Sequence, residues 1–241
     1  MSASGGAHAM GHESLGVRAS RSIRHPLTRT LLVLTFTTGL VDAVSYLGLG
    51  HVFAANMTGN IVLLGFGIAG SGGLPVLAPL VSLAAFLLGA GAGGVLAARL
   101  ADRHPSHIAC ALAIEVSLIA AAAVLSTAAD VHPNAIGADA TIALLALAMG
   151  VRNATVRRIA VPDLTTTVLT MTLTGLAADS PLFGGTGKGT TRRTAAVLAM
   201  LIGAIVGALL LKTSLALPLA SAVAITVAAS IFYIPPLRGD A

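Results

Sequence analysis

Asp42 stands inside an apolar run that extends from about Leu27 to Gly50. If the run spans a bilayer, a carboxylate near its middle costs about 2.5–3.5 kcal/mol on insertion scales. It persists only where it meets a partner, water or a substrate, or carries a proton. Asp42 therefore reads as an ion or proton site, with a structural hydrogen bond as the plainer alternative. The next run opens with Asn56-Met57-Thr58-Gly59-Asn60. Asn56 or Thr58 could cap a half-helix starting near Gly59, whose free N–H groups would face an anion or polar group. Gly59 permits close backbone approach. Such helix ends build midplane sites in transporters; a hydrogen-bonded contact between helices is the alternative. A later run, about Val161–Ala178, is rich in threonine, including Thr167 and Thr170, and Asn153 shares the pattern G-x-x-[D/N]-A with Asp42. The candidate solute- or ion-binding set is Asp42, Asn56, Thr58, Gly59, Asn60, Asn153, Thr167 and Thr170.

Two further ionisable residues lie in apolar runs. Glu115 reads either as functional or as an interfacial carboxylate paired with Arg99 or Arg103. Arg152 reads as an arginine snorkelling to the interface beside Arg157 and Arg158, with a pair to Asp42 as the alternative. Gly184-Gly185-Thr186-Gly187-Lys188-Gly189-Thr190 lacks the order of a phosphate-binding loop and reads as a flexible connection. Gly89 and Gly93 present small residues one turn apart, the pattern of close helix packing in membranes. No catalytic constellation stands out, so no enzymatic activity is expected. The lone Cys110 has no partner spacing for a disulfide or metal site, and no cofactor is expected.

The elements that must carry these residues follow from composition. Of 241 residues, 56% are hydrophobic and only 10% charged. An ordinary soluble domain carries about 25% charged residues, so this chain cannot cover a globule with polar surface. The fold class is an all-α, polytopic transmembrane bundle. Eight apolar segments are expected, at about 27–50, 52–70, 75–100, 108–129, 141–158, 161–178, 194–211 and 215–234, with Pro235-Pro236 ending the last. The formal net charge of +5 comes from residues clustered between the runs and before the first, which is a topology signal rather than a nucleic-acid footprint.

Those basic residues also choose between topologies. If all eight segments cross, Arg99/Arg103 and Lys188/Arg192/Arg193 fall outside, against the positive-inside rule. If the second and sixth segments are broken or re-entrant, six cross and these clusters join the N-terminal arginines inside. The two halves, 27–130 and 138–234, then run in opposite directions as an inverted repeat within one membrane domain. Residues 1–26 are expected to be a disordered cytoplasmic tail and 235–241 a short one.

Gly39-Leu40-Val41-Asp42-Ala43-Val44-Ser45-Tyr46-Leu47 and Val52-Phe53-Ala54-Ala55-Asn56-Met57-Thr58-Gly59-Asn60 resemble the signature of the YoaK family, and Gly150–Ala154 and Thr165–Thr170 resemble its second half. The resemblance covers about residues 30–234. It implies a bacterial inner-membrane protein of about six spans, built on a domain of unknown function, and implies no substrate. The family's second motif reads T-G-T where this chain has Thr170-Met171-Thr172. Two functions fit: a secondary transporter or exporter of a small solute, with a proton or ion coupled through Asp42, or a non-transporting assembly partner or sensor. The expected partners are the lipid bilayer and a small solute or proton, with a homo-oligomer compatible and nucleic acid excluded. Both termini are expected in the cytoplasm.

Overall fold

The structure, a computed structural model, describes residues 25–101, 104–128, 131–133, 135–159 and 169–238. The described residues form eight α-helices: α1 (Pro26–Gly48), α2 (Met57–Ile68), α3 (Leu77–Arg99), α4 (His104–Ala128), α5 (Ile136–Ile159), α6 (Leu169–Ala178), α7 (Thr190–Leu211) and α8 (Ala216–Arg238). Among the described residues there is no strand. Helices α1, α3, α4, α5 and α7 are long and apolar enough to cross a bilayer. Helix α8 is of similar length, and its apolar run in the sequence continues to Ile234. It also corrects an expectation: the helix runs through Pro235 and Pro236 to Arg238. Proline's fixed φ is compatible with a helix, and each of the two forgoes one backbone N–H bond in the last turns.

With 12 and 10 residues, α2 and α6 are too short to span. At ~1.5 Å per residue they cover about half of the ~30 Å hydrocarbon core.

Helices α1 and α5 form the centre. Their apolar windows are 67% and 56% buried, against 28%, 33% and 17% for α3, α4 and α7. The outer helices turn large apolar side chains outward, among them Leu87, Leu88, Val124 and Leu201, as lipid contact requires. Within lipid, helix association depends on close packing rather than on the hydrophobic effect, and glycines supply it at two crossings. On α1 and α7, Gly39 meets the carbonyl of Met200, and Gly203 meets the carbonyl of Phe36. On α5 and α3, Gly150 meets the carbonyl of Phe86, and Gly89 meets the carbonyl of Leu147. One turn further, Gly207 lies against Leu40 and Ala43, and Gly93 against Val151 and Ala154. The crossings match position for position, with α1 exchanged for α5 and α7 for α3. The other pairings follow suit: α8 packs on α1 as α4 packs on α5, and α6 on α7 as α2 on α3.

Packing also fixes direction. Leu27 and Leu31 at the start of α1 cluster with Ile108 near the start of α4, Ala196 near the start of α7 and Val156 near the end of α5. At the opposite end, Leu49 shares a cluster with Ala138 of α5 and Leu219 of α8. Helices α1, α4 and α7 therefore run one way, and α3, α5 and α8 the other. Between α1 and α3 the chain dips into the bundle and returns to the end it left. Ala54 and Ala55 reach down to Asp42, Asn60 reaches Ser82 of α3, and Gly67 lies beside Leu74 and Pro75 just before α3. The second segment is thus re-entrant. The sixth ends likewise beside the helix that follows, with Gly175 of α6 against the Arg193 guanidinium of α7.

Candidate functional site

The buried polar groups gather in two clusters stacked along α1. Asp42, 6% exposed, heads the first. Its Oδ1 accepts from the backbone N–H of Ala54 (3.1 Å) and of Ala55 (2.9 Å). Ser45 Oγ also accepts from Ala54 N–H, at 3.1 Å. The dipping chain has no regular ladder at this point, and a buried amide without a partner is costly. The carboxylate supplies the missing acceptor, and a charged acceptor makes a stronger bond than a neutral one. Asn60 does the same for the preceding residue. Its Oδ1 accepts from Phe53 N–H at 2.8 Å, and its Nδ2 donates to Phe53 O at 2.7 Å and to Ser82 Oγ at 3.0 Å. The side-chain amide thus mimics a backbone partner on both sides of one residue, and Ser82 also donates to Phe53 O at 2.7 Å.

Asn56 is the N-cap of α2, its Oδ1 accepting from Gly59 N–H at 3.3 Å. Gly59 gives close approach to the ring of Phe53, where a Cβ would lie 2.9 Å from Cδ2. That ring stacks on Tyr46 of α1, with centroids 4.8 Å apart. Asp42, Asn60 and Gly59 are therefore engaged in holding the re-entrant segment, while Asn56 and Thr58 are exposed. Asp42 lies where the motif spacing puts it, beside the Asn56–Asn60 stretch, but its partners are the amides just before it rather than its side chains.

Asp42→Ala is expected to leave the buried Ala55 N–H without its acceptor and the Ala54 N–H with Ser45 Oγ alone, and to cost about 2–4 kcal/mol. Asp42→Asn keeps a carbonyl oxygen in the same place and is expected to lose less than half as much. Melting of the purified variants in detergent ranks them. Equal losses would mean that the two backbone bonds are not what Asp42 provides.

The second cluster centres on Arg152, 2% exposed. Nε donates to Glu115 Oε2 at 2.9 Å and Nη2 to Glu115 Oε1. The remaining donors reach α1: Nη2 to Thr37 Oγ1 at 3.0 Å, and Nη1 to Thr38 Oγ1 and Leu34 O, both at 2.7 Å. All five guanidinium N–H groups are used, the full capacity of the side chain. Glu115, 1% exposed, gives both oxygens to the pair. Three expectations fall here. Arg152 does not snorkel, because α1 and α4 surround it with acceptors. Glu115 pairs with Arg152 rather than Arg99, because its place on α4 faces α5, and Arg103 lies outside the described residues. The Asp42–Arg152 pair does not form either, since threonines one turn from Asp42 take the donors. A pocket beside this pair, of about 20 Å³, is lined by Leu27, Leu31, Ile108, Leu112, Thr155 and Ile159, at the end where α1 starts. That is about the room one water needs.

The candidates of the second half are dispersed. Asn153 is half-buried and donates to Met149 O at 2.8 Å. Thr170 is exposed, its carbonyl accepting from Thr174 Oγ1 at 2.9 Å. Thr167 lies outside the described residues. Thr37, Thr38 and Ser82 are parts of the polar clusters that spacing did not mark. A hydroxyl in an apolar run gives little signal, because it can satisfy itself on its own helix, as Thr38 does with Leu34 O at 2.8 Å.

Residues 30–232 match the family described as a protein of unknown function, DUF1275. The chain belongs to that family. It is 36% identical over 150 residues to UPF0700 transmembrane protein YoaK of Bacillus subtilis (strain 168). The match covers 62% of this chain and 65% of that protein, just under two thirds of its length. No solved structure matches. This DUF1275 protein is an integral membrane protein, and its motif residues Asp42 and Asn60 have a structural explanation in the re-entrant segment.

Proposed function

We propose that the protein is a secondary transporter of a small polar solute, built as an inverted duplication in the bacterial inner membrane with both termini in the cytoplasm. The observation that carries it is the interchange of helix partners between halves that run in opposite directions, each with a half-length helix in the same place. Transporters of inverted repeats can move by rocking one set of equivalent contacts while the other holds, with broken helices near the path. Charged residues sealed in a bundle mark ion or substrate pathways by default, and Arg152–Glu115 stands at the inner end of a small pocket. The orientation rests on charge: Arg29, Arg99, Arg157, Arg158, Arg192 and Arg193 all belong to the end where α1 starts, which the positive-inside rule places in the cytoplasm.

A second reading, a non-transporting assembly partner or sensor, is favoured by one fact. Asp42, Asn60 and Ser82 are spent on the fold. Single cysteines in a Cys110→Ser background separate the readings. A transporter is expected to expose Thr155→Cys to a membrane-impermeant maleimide from the cytoplasmic side and Ala55→Cys from the other, with one rate falling as the other rises when solute mixtures are added. Ala55→Cys inert from both sides under every mixture would discard transport in favour of the sealed bundle. Labelling of Thr155→Cys only from outside would reverse the orientation.

A further inference from the structure

An open groove of about 790 Å³ lies between α3 and α5. Its α3 wall is Phe86, Ala90, Gly94 and Ala98, and its α5 wall ends in Arg157 and Arg158. These helices run in parallel, so the arginines stand at the end where α3 also finishes, with Arg99 in its last turn. From Phe86 to Ala98 the wall runs about 18 Å at ~1.5 Å per residue. One leaflet of a ~30 Å hydrocarbon core is about 15 Å deep, so the groove crosses one leaflet and stops. A Cβ at Gly94 would meet nothing within 4 Å. The hollow there is real space, unlike the site of Gly93, whose Cβ would lie 2.8 Å from Ala154 Cβ. Arg157 and Arg158 are exposed, and no acid among the described residues pairs with either.

We propose that this groove is a binding site for one anionic phospholipid, its phosphate held by Arg157 and Arg158 and one acyl chain lying along Phe86, Ala90, Gly94 and Ala98. Guanidinium groups bind phosphate in a bidentate fork, and basic pockets between transmembrane helices take anionic headgroups. A zwitterionic headgroup brings its own ammonium beside the phosphate, so two adjacent cations favour a lipid of net negative charge. A free anion would use only the mouth and leave the apolar length of the groove idle. The proposal does not depend on transport.

The test uses the full-length protein, delipidated in detergent, with phosphatidylglycerol, phosphatidylcholine or sodium phosphate added. Native mass spectrometry counts bound lipid and thermal melting reads stabilisation. One phosphatidylglycerol per chain is expected, with a higher melting temperature that phosphatidylcholine and phosphate do not reproduce. Arg157→Gln/Arg158→Gln changes two exposed side chains and should weaken retention about 30-fold, at about 1 kcal/mol for each arginine near a lipid surface. Gly94→Leu keeps both arginines but fills the groove, and should also lose the lipid. Gly91→Leu, on the same helix with open space around it and outside the groove, should not. Lipid-free melting of each variant, no lower than that of the parent protein, checks the fold. Equal stabilisation by phosphatidylcholine overturns the proposal. So does the same shift with phosphate alone, or unchanged retention in either the double-glutamine or the Gly94→Leu variant.

Discussion

Arg152→Ala is expected to be the most damaging single substitution in the protein. It removes five hydrogen bonds that tie α5 to α4 and α1. It also strands the Glu115 carboxylate, which is 1% exposed, in a bundle surrounded by lipid. Breaking a buried pair by removing one partner costs about 3–5 kcal/mol, because the remaining charge has lost its compensation. That is a large share of an ordinary protein's stability of about 5–15 kcal/mol and removes nearly all of it at the low end. The expected result is little folded protein after extraction, read by size exclusion and melting in detergent. Arg152→Lys keeps the charge but offers three donors from one point instead of a planar fork, so it should fall between the two.

Arg152→Ala/Glu115→Ala decides why the single substitution fails. Removing both charges removes the uncompensated one, and replacement of whole buried pairs is often close to neutral. The double variant should therefore be more stable than Arg152→Ala alone, a coupling that a thermodynamic cycle measures directly. If the double variant is no better, the damage comes from the lost bonds to Thr37, Thr38 and Leu34, and the pair with Glu115 is incidental. If Arg152→Ala melts like the parent protein, the guanidinium is not buried among these acceptors.

How far the sequence goes is visible in these residues. Asp42 stood out because a lone acid in an apolar run has few explanations, and the polar stretch Asn56–Asn60 marked where a helix had to break. The structure joins the two through the amides of Ala54 and Ala55. Those alanines carry no side-chain signal, since any residue offers an N–H. Arg152 and Glu115 were legible singly, and both lie within apolar runs of opposite halves. Their pairing was not, because it depends on which face of α4 turns to α5, and α4 has apolar or small residues on every side. An interface arginine near Arg157 and Arg158 was the simpler reading, and it fails because Arg152 lies more than a turn deeper than they do. That the second and sixth segments fall short of full spans was legible from charge counting, because basic residues are placed by topology before any packing forms.

The glycine crossings give a prediction with its control built into one helix. Gly89→Ala and Gly93→Ala are expected to destabilise, while Gly91→Ala and Gly94→Ala are expected to be neutral or stabilising. A methyl at Gly89 would fall on the carbonyl of Leu147, and one at Gly93 would lie 2.8 Å from Ala154 Cβ. Backbone cannot yield as a side-chain tip can, so α3 and α5 must separate along their length. Overpacking of this sort costs about 1–3 kcal/mol, and in lipid the lost contacts are the main force holding the helices together. At Gly91 and Gly94 a Cβ meets nothing within 4 Å, and alanine gains up to about 1 kcal/mol in helix propensity. The sign of the effect should therefore alternate along four neighbouring positions, a pattern that no general intolerance of the helix produces. The matching positions of α7, Gly203 and Gly207, meet Phe36, Leu40 and Ala43 in the same way. Gly203→Ala should cost about as much as Gly89→Ala, and the two together about their sum, since the crossings share no partner residue. Melting in detergent measures all of these. A large loss at Gly89 with none at Gly203 would mean that the two crossings, alike in geometry, do not bear equal strain, and that the halves are not mechanically equivalent.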